Sequence, residues 1–183
     1  MPMPEPPTDL EVASTTRDIP DEVKAVVGLP GPRRAAYYAV DSTSIGYFCE
    51  FSENADPRYD RRRAARVRAP ATYLLTAIRS PIWAPDRRFL PHQYVTVSLA
   101  LGTTKSVNLS VEHEFITPLY EGDQVTFVNT ITQIVPSTNR LGAGFRVSEK
   151  VESFNQRDEP IAVTVVTTFA YGYAEPTDSA EAR

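Results

Sequence analysis

The sequence has very few of the residues that build a disulfide or a metal site. Only one of its 183 residues is cysteine, Cys49, and only two are histidine. A single cysteine excludes an internal disulfide. Two imidazoles and one thiol fall short of the four ligands that a structural zinc ion takes. We therefore expect no metal site.

Long apolar runs and an excess of basic residues are also missing. No stretch approaches the roughly 18 apolar residues of a membrane span. The proline-rich start lacks the basic region and the apolar run of a signal peptide. The formal net charge of -4 is unusual for a general nucleic-acid binder. These absences favour a cytoplasmic protein that binds neither membrane nor nucleic acid.

What is present fits one globular domain with loose ends. Hydrophobic residues make up 42% of the chain and charged residues 23%, which a single soluble domain of this length can accommodate. Residues 1–22 are rich in proline and acid, which is typical of a disordered arm. Residues 174–183 have the composition of a disordered tail. The sequence thus predicts one folded domain over residues 23–173.

The folded part begins with a strand followed by helices. Residues 35–40 carry two tyrosines among alanine and valine, which predicts a first strand. An amphipathic helix follows, with Asp41 or Ser42 as its N-cap, and ends near Asn54. After a proline break, Asp60 is placed to cap a second short helix that carries several arginines.

Residues 72–79 are almost wholly apolar, with Tyr73, Leu74, Leu75, Ala77 and Ile78 pointing every way round a helix. A short helix that is hydrophobic on every side must be enclosed, because alone it would be marginal in water. We expect a sheet to wrap around it. Pro81 ends this helix, and residues 82–101 predict an irregular segment that is long enough to suggest a function.

The second half of the chain alternates apolar and polar residues. Val107, Leu109 and Val111 alternate with polar neighbours, and three similar runs follow, the last over residues 161–171. Four long strands with short polar turns indicate an antiparallel meander. The whole chain therefore predicts an α+β fold, a curved antiparallel sheet wrapped around one apolar helix.

Four short motifs give the sequence a resemblance to a known family. They are Tyr47, Asn54-Ala55-Asp56-Pro57-Arg58-Tyr59, Ala69-Pro70-Ala71-Thr72-Tyr73 and Pro118-Leu119-Tyr120-Glu121-Gly122-Asp123. In this order the chain resembles the MaoC-like (R)-enoyl-CoA hydratase and dehydratase family from about Val26 to Tyr173. The N-terminal, FAS1-like dehydratase half of that family is the most similar part. The resemblance implies the hot-dog fold.

The resemblance also implies a reaction and a missing catalytic pair. In the catalytic half of the family, an aspartate and a histidine hold a water that adds to a trans-2-enoyl thioester, or run the reverse. Here Asn54 stands at the aspartate position and Tyr59 at the histidine position. An amide cannot act as a base, and a tyrosine with an ordinary pKa of about 10 stays protonated. The resemblance therefore implies a non-catalytic subunit whose partner hot-dog subunit supplies the pair.

Such a subunit would shape the pocket for a bulky or long acyl group, carried by coenzyme A or by a carrier protein. The family's long-chain and steroid side-chain cases point to lipid or steroid metabolism, with coenzyme A as part of the substrate and no separate cofactor. The predicted substrate-binding residues are Thr72, Tyr73, Leu74, Ala77, Ile78, Trp83 and Phe89. Arg62 and Arg66 suit the phosphates of coenzyme A, although a solvated helix face is the simpler explanation of their basic run.

Two other functions stay open. A homodimeric thioesterase or an unorthodox hydratase would use Asp56 and His113. His113 lies on a predicted central strand, where a structural histidine is the more common case, and Asp56 also fits an ordinary turn. The second alternative is a protein that binds acyl thioesters without catalysis.

Overall fold

The computed structural model describes residues 17–79 and 93–173. In chain order the elements are α1 (Asp21–Val26), β1 (Arg34–Ala35), α2 (Ser42–Phe51), two 3₁₀ turns (Pro57–Tyr59 and Ala71–Tyr73), α3 (Leu74–Ala77), α4 (Gln93–Ala100), β2 (Thr103–Phe115), β3 (Thr126–Asn139), β4 (Gly142–Phe154) and β5 (Pro160–Tyr173). Most of the predicted arm, all of the predicted tail, Pro81, Trp83 and Phe89 lie outside the described residues. None of the described helices has the length and apolar character needed to cross a bilayer.

The five strands form one curved antiparallel sheet in the order β1-β3-β4-β5-β2. The α+β arrangement is therefore confirmed, but the four-strand meander is wrong. β3, β4 and β5 do follow one another, whereas β2 pairs with β5 at the far edge. The link after β2 crosses the molecule and buries Leu119 and Val125 on the way. That burial holds the crossover in place.

The strands are longer at the end of the chain and shorter at its beginning than the sequence predicts. The first strand, predicted over residues 35–40, is reduced to the two residues of β1. The apolar positions of β2 are also more exposed than alternation alone suggests, because Leu109 is 52% exposed. A bulge between Asn108 and Ser110 interrupts the alternation of faces there.

The helix that packs across β3 and β4 is α4. Val97 and the following Leu101 contact Ile131, Phe145 and Val147, and all five are buried. The prediction of an irregular segment over residues 82–101 is thus wrong for its second part. Residues 93–100 have only moderate helix propensity. Val97 and Leu101 are four positions apart on one helix face, and their packing against β3 and β4 outweighs that weak propensity.

The apolar stretch at residues 72–79 forms a 3₁₀ turn and the four residues of α3. Tyr73 and Leu74 are buried, but Thr72 is exposed and Leu75 is 39% exposed. The expectation of a fully enclosed helix is therefore wrong. Two large buried side chains are enough to hold so short a segment against the core, and its other side faces outward.

The amphipathic helix α2 is confirmed, with Asp41 as its N-cap. The Asp41 carboxylate accepts hydrogen bonds from the backbone N–H groups of Thr43 and Ser44. The second short helix expected after Asp60 is wrong, since residues 61–63 form a turn. The Asp60 side chain accepts a hydrogen bond from the Arg62 backbone, which stabilises that turn instead of a helix.

Candidate functional site

A cavity of about 490 Å³ opens between α2 and the segment that follows it. This volume lies in the usual range for small-molecule sites. One wall is a face of α2 that includes Gly46 and Cys49. The other wall comes from Asn54, Asp56 and Tyr59, with three consecutive arginines at residues 61–63 completing the lining.

The end of α2 brings Asn54 back toward the helix. The backbone N–H of Asn54 donates to Cys49 O at 2.8 Å, and that of Glu53 donates to Glu50 O at 3.2 Å. Glu53 has a φ of 52°, the left-handed conformation that usually belongs to glycine at a helix end. The chain therefore reverses at Glu53, which places the loop over the side of the helix.

Asp56 accepts the hydrogen bonds that organise this loop, and these bonds lower the basicity of its carboxylate. Its carboxylate accepts hydrogen bonds from the backbone and the guanidinium of Arg58 and caps the first 3₁₀ turn. The Asp56 backbone N–H in turn donates to Asn54 Oδ1 at 3.2 Å. The hydrogen bonds from Arg58 lower the pKa of Asp56 to about 2. A carboxylate with so low a pKa is a weak base at neutral pH.

Asn54 and Tyr59 line the same cavity, as the family resemblance implied for these two positions. Tyr59 is half-buried, and its ring packs against the buried cluster that includes Ile45 and Leu119. The cavity thus brings together an amide and a phenol where the catalytic half has a carboxylate and an imidazole. Both groups can form hydrogen bonds with a bound molecule, but neither is a general base near neutral pH.

The two arginines predicted to bind phosphate lie in different surroundings. Arg62 lines the cavity, its side chain is 88% exposed, and it forms an ion pair with Asp60 at 3.1 Å. Arg66 lies outside the cavity lining and contacts the ring of Tyr120 and the carboxylate of Asp123. Arg61 and Arg63 join Arg62 in the lining of the cavity. Phosphate binding by this basic run stays a prediction.

Most of the residues predicted from the apolar helix pack in the core, outside the cavity lining. The Tyr73 ring packs edge-on against Phe48 of α2, with 5.6 Å between the centroids, and Leu74 is buried beside it. Ala77 and Ile78 pack against the same cluster, and Thr72 is exposed. None of the five lines the cavity described above. Trp83 and Phe89 fall outside the described residues.

His113 lies apart from Asp56 and on an edge strand. The expectation of a central strand is wrong, because β2 pairs with β5 alone among the strands that the structure describes. His113 Nδ1 is 2.9 Å from Thr164 Oγ1, and its ring stacks on Phe115. His113 does not line the cavity that contains Asp56. Within residues 17–79 and 93–173, no group of three or more His, Cys, Asp or Glu side chains is placed to hold a metal ion.

Sequence reasoning missed a half-buried carboxylate and a cavity thiol. Burial raises the pKa of Glu149, against hydrogen bonds from Asn129 and from the Tyr94 backbone. Glu149 is two residues from each of the buried Val147 and Val151, and in a strand this spacing places all three side chains on one face. This spacing is the feature of the sequence that indicates that Glu149 faces inward. Burial likewise raises the pKa of the Cys49 thiol, and helical spacing from Gly46 was the signal for its place in the cavity wall.

Comparisons with known proteins agree with this architecture. A family model described as "FAS1-like, dehydratase domain region" matches residues 25–164. No protein of curated function matches the sequence. The ChsH1-ChsH2 complex of Mycobacterium tuberculosis contains a chain that is 17% identical, with a TM-score of 0.67 over 85% of this chain and 90% of that one.

Two further solved structures share the fold. The HadBC (3R-hydroxyacyl-ACP dehydratase) complex from Mycobacterium tuberculosis is 17% identical, with a TM-score of 0.56 over 85% of this chain and 99% of that one. The monoamine oxidase regulatory protein from Archaeoglobus fulgius is 14% identical, with a TM-score of 0.53 over 80% of this chain and 91% of that one. The fold is therefore the hot-dog fold.

Proposed function

Since this chain belongs to the FAS1-like dehydratase region family of MaoC-like hot-dog hydratases and dehydratases, we propose that it is the non-catalytic subunit of a heteromeric enzyme. Its partner is a second hot-dog subunit that supplies the Asp/His pair. This chain shapes the pocket for a bulky or long acyl thioester. The observation that carries the proposal is the cavity lined by both Asn54 and Tyr59, the two positions at which the catalytic half has a carboxylate and an imidazole.

The state of Asp56 supports the same assignment. It lies between the two degenerate positions in the sequence, and Arg58 holds it as an ionised acceptor with a pKa of about 2. His113 lies at the sheet edge and is tied to Thr164. A reaction that used both residues would need them in one cavity, so this arrangement favours catalysis by a partner over the alternative based on Asp56 and His113.

The exposed edge of the sheet supports a partner subunit. Among the described strands, β2 is hydrogen-bonded on one side only. Val107, Leu109 and Val111 on this strand are 39%, 52% and 39% exposed. An unpaired apolar edge is a template for another strand and is normally covered. The two Mycobacterium structures described above are complexes of two named proteins, which agrees with pairing of unlike hot-dog chains.

In this proposal the chain binds and orients the substrate, while the partner moves the protons. The arginines at residues 61–63 stand at the cavity and attract the phosphates of coenzyme A or of a carrier protein. The Asn54 amide and the Tyr59 hydroxyl offer hydrogen bonds to a polar group of the thioester. The partner's pair then adds water to the enoyl double bond or removes it from the hydroxyacyl product.

The test is co-expression with candidate hot-dog partners, followed by an assay of trans-2-enoyl-CoA hydration. We expect turnover by the complex, loss of turnover when the partner's aspartate or histidine is replaced, and background rates for this chain alone. Turnover by the pure chain that disappears in Asn54→Ala or Tyr59→Phe would overturn the proposal. Binding of the thioester without turnover in any complex would instead identify a binding protein.

A further inference from the structure

The helix-facing side of β2 forms an open strip beside the core. Cross-strand partners in a sheet share one face. Through β5, Asn108 and His113 are in register with Val147 and Val151 of β4. Val147 packs in the cluster under α4, so these β2 residues face the same side. The bulge before Ser110 brings Val111 and Phe115 to that side as well.

Two hydrogen-bonded pairs fix the polar residues of this strip. Thr168 Oγ1 donates to Asn108 Oδ1 at 3.0 Å, and His113 Nδ1 lies 2.9 Å from Thr164 Oγ1. The two threonines are 5% and 1% exposed, so they hold their partners from within the sheet. The Asn108 amide nitrogen and His113 Nε2 have no hydrogen-bond partner among the described residues.

Apolar side chains alternate with these polar groups. Val111 lies between Asn108 and His113 along the strip and is 39% exposed. Phe115 follows His113, stacks on its ring at 5.2 Å, and is 43% exposed. Thr164 and Thr168 are four residues apart in β5, so their partners His113 and Asn108 stand about 13 Å apart along the strand. The strip is therefore apolar with two fixed hydrogen-bonding groups.

We propose that this strip binds an acyl group that carries hydroxyl or keto oxygens, in preference to a plain alkyl chain. The inference rests on the proposed function, since it names the class of acyl group that the heteromer takes. The oxygens of the acyl group pair with the Asn108 amide nitrogen and with His113 Nε2, and its carbon skeleton lies on Val111 and Phe115.

The preference follows from the cost of covering polar groups. A plain alkyl chain on this strip would remove water from Asn108 and His113 and offer no hydrogen bond in return. Sites built to hydrogen-bond a substrate oxygen discriminate strongly against analogues that lack it. A partner subunit paired with the free edge of β2 would shield that side of the strip from solvent and increase this discrimination.

The experiment compares dodecanoyl-CoA with two hydroxylated counterparts, one with the hydroxyl at mid-chain and one at the ω carbon. Calorimetry measures binding to the full chain and to its complex with the partner. We expect at least one hydroxylated probe to bind about five- to tenfold more tightly than dodecanoyl-CoA. Asn108→Leu and His113→Phe should reduce this ratio, and His113→Phe keeps an aromatic ring next to Phe115.

Glu114→Gln is the control, because Glu114 is exposed on the opposite face of the same strand. Thermal midpoints show whether each variant is folded. Equal affinity for all probes, unchanged in the variants, overturns this inference and leaves the proposed function standing. Failure of every probe to bind overturns both. Loss of partner binding in His113→Phe with unchanged probe ratios overturns the inference and assigns the strip to the subunit interface.

Discussion

Arg66 lies over the ring of Tyr120, with the guanidinium carbon 3.9 Å from the ring centroid. The same side chain reaches Asp123 at 3.6 Å, where the carboxylate is almost fully buried. Asp123 also accepts the backbone N–H of Tyr120 at 2.8 Å. Arg66 therefore links the segment that follows the cavity-lining residues 61–63 to the turn that precedes β3. Its charge stabilises the fold.

A pair of arginine variants separates structure from binding. Arg66→Ala should lower the free energy of unfolding by about 1 kcal/mol, because it removes a cation–π contact and a charged partner of Asp123. Arg62→Ala should leave stability within about 0.5 kcal/mol, since Arg62 is exposed, and should weaken binding of CoA thioesters most at low salt. Denaturant unfolding and calorimetry at two salt concentrations check both. Unchanged affinity of Arg62→Ala at low salt would remove it from the phosphate site.

The Asp41 cap controls the helix that forms one cavity wall. Asp41→Ala should destabilise the protein by about 0.5–2 kcal/mol, because two backbone N–H groups of α2 lose their acceptor. Asp41→Asn retains an acceptor oxygen and should cost less. The hydrogen bond from Ser44 lowers the pKa of Asp41 in the folded state.

The acid dependence follows from that shift. Because the folded pKa of Asp41 lies below the unfolded one, its contribution is present above the unfolded pKa and is lost as the pH falls through the folded pKa. Thermal midpoints of the native protein and of Asp41→Asn between neutral and acid pH measure this loss. Parallel curves for the two proteins would contradict the assignment.

Glu149 should produce the opposite pH dependence. Burial raises its pKa in the folded state, and Asn129, the Tyr94 backbone and Arg34 oppose the rise only in part. A carboxyl whose folded pKa exceeds its unfolded pKa stabilises the fold most at low pH, and this contribution is lost as the pH rises through the folded pKa. Glu149→Gln should reduce the loss of stability with rising pH. Glu112 is exposed, so Glu112→Gln should not change it. The two variants are compared by thermal midpoint from pH 4 to 8, roughly the span between an ordinary and a strongly raised glutamate pKa.

Two glycines should respond to alanine in opposite directions. A Cβ at Gly144 of β4 would lie 2.2 Å from Ala170 O, so Gly144→Ala should cost about 1–3 kcal/mol or more. A Cβ at Gly46 of α2 would meet nothing within 4 Å. Gly46→Ala should therefore stabilise the protein by roughly 0.5–1 kcal/mol through helix propensity. Similar midpoints for both variants would show that β4 and β5 separate more easily than their packing implies.

Local signals in the sequence predicted the elements that local interactions determine. Asp41 predicted the start of α2 because an N-cap needs only its own next three residues. The alternation of apolar and polar residues predicted the long strands, because this pattern also depends only on neighbouring residues in the chain. Asn54 and Tyr59 belong to one short motif around one turn, which is why both line the same cavity. These features depend on residues that are close together in the chain.

The failures concern contacts between distant residues. Alternation at Val107 and Val111 indicates a strand but not its neighbour, so the edge position of β2 was missed. The sequence around Val97 has moderate helix propensity and becomes helical against Ile131 and Phe145. Glu149 faces inward because its strand register requires it, and a glutamate in a polar stretch gives no composition signal of burial.

The pairing of β2 with β5 also has a consequence for the order of folding. Thr103 at the start of β2 pairs with Tyr173 at the end of β5, whereas β3 and β4 meet across a turn between Asn139 and Gly142. Loop-closure entropy favours the short connection first and delays the long one. During synthesis, β2 leaves the ribosome before its intramolecular partner exists. We therefore expect the nascent chain to expose this strand until β5 has been synthesised, and a partner made at the same time would meet it in that interval.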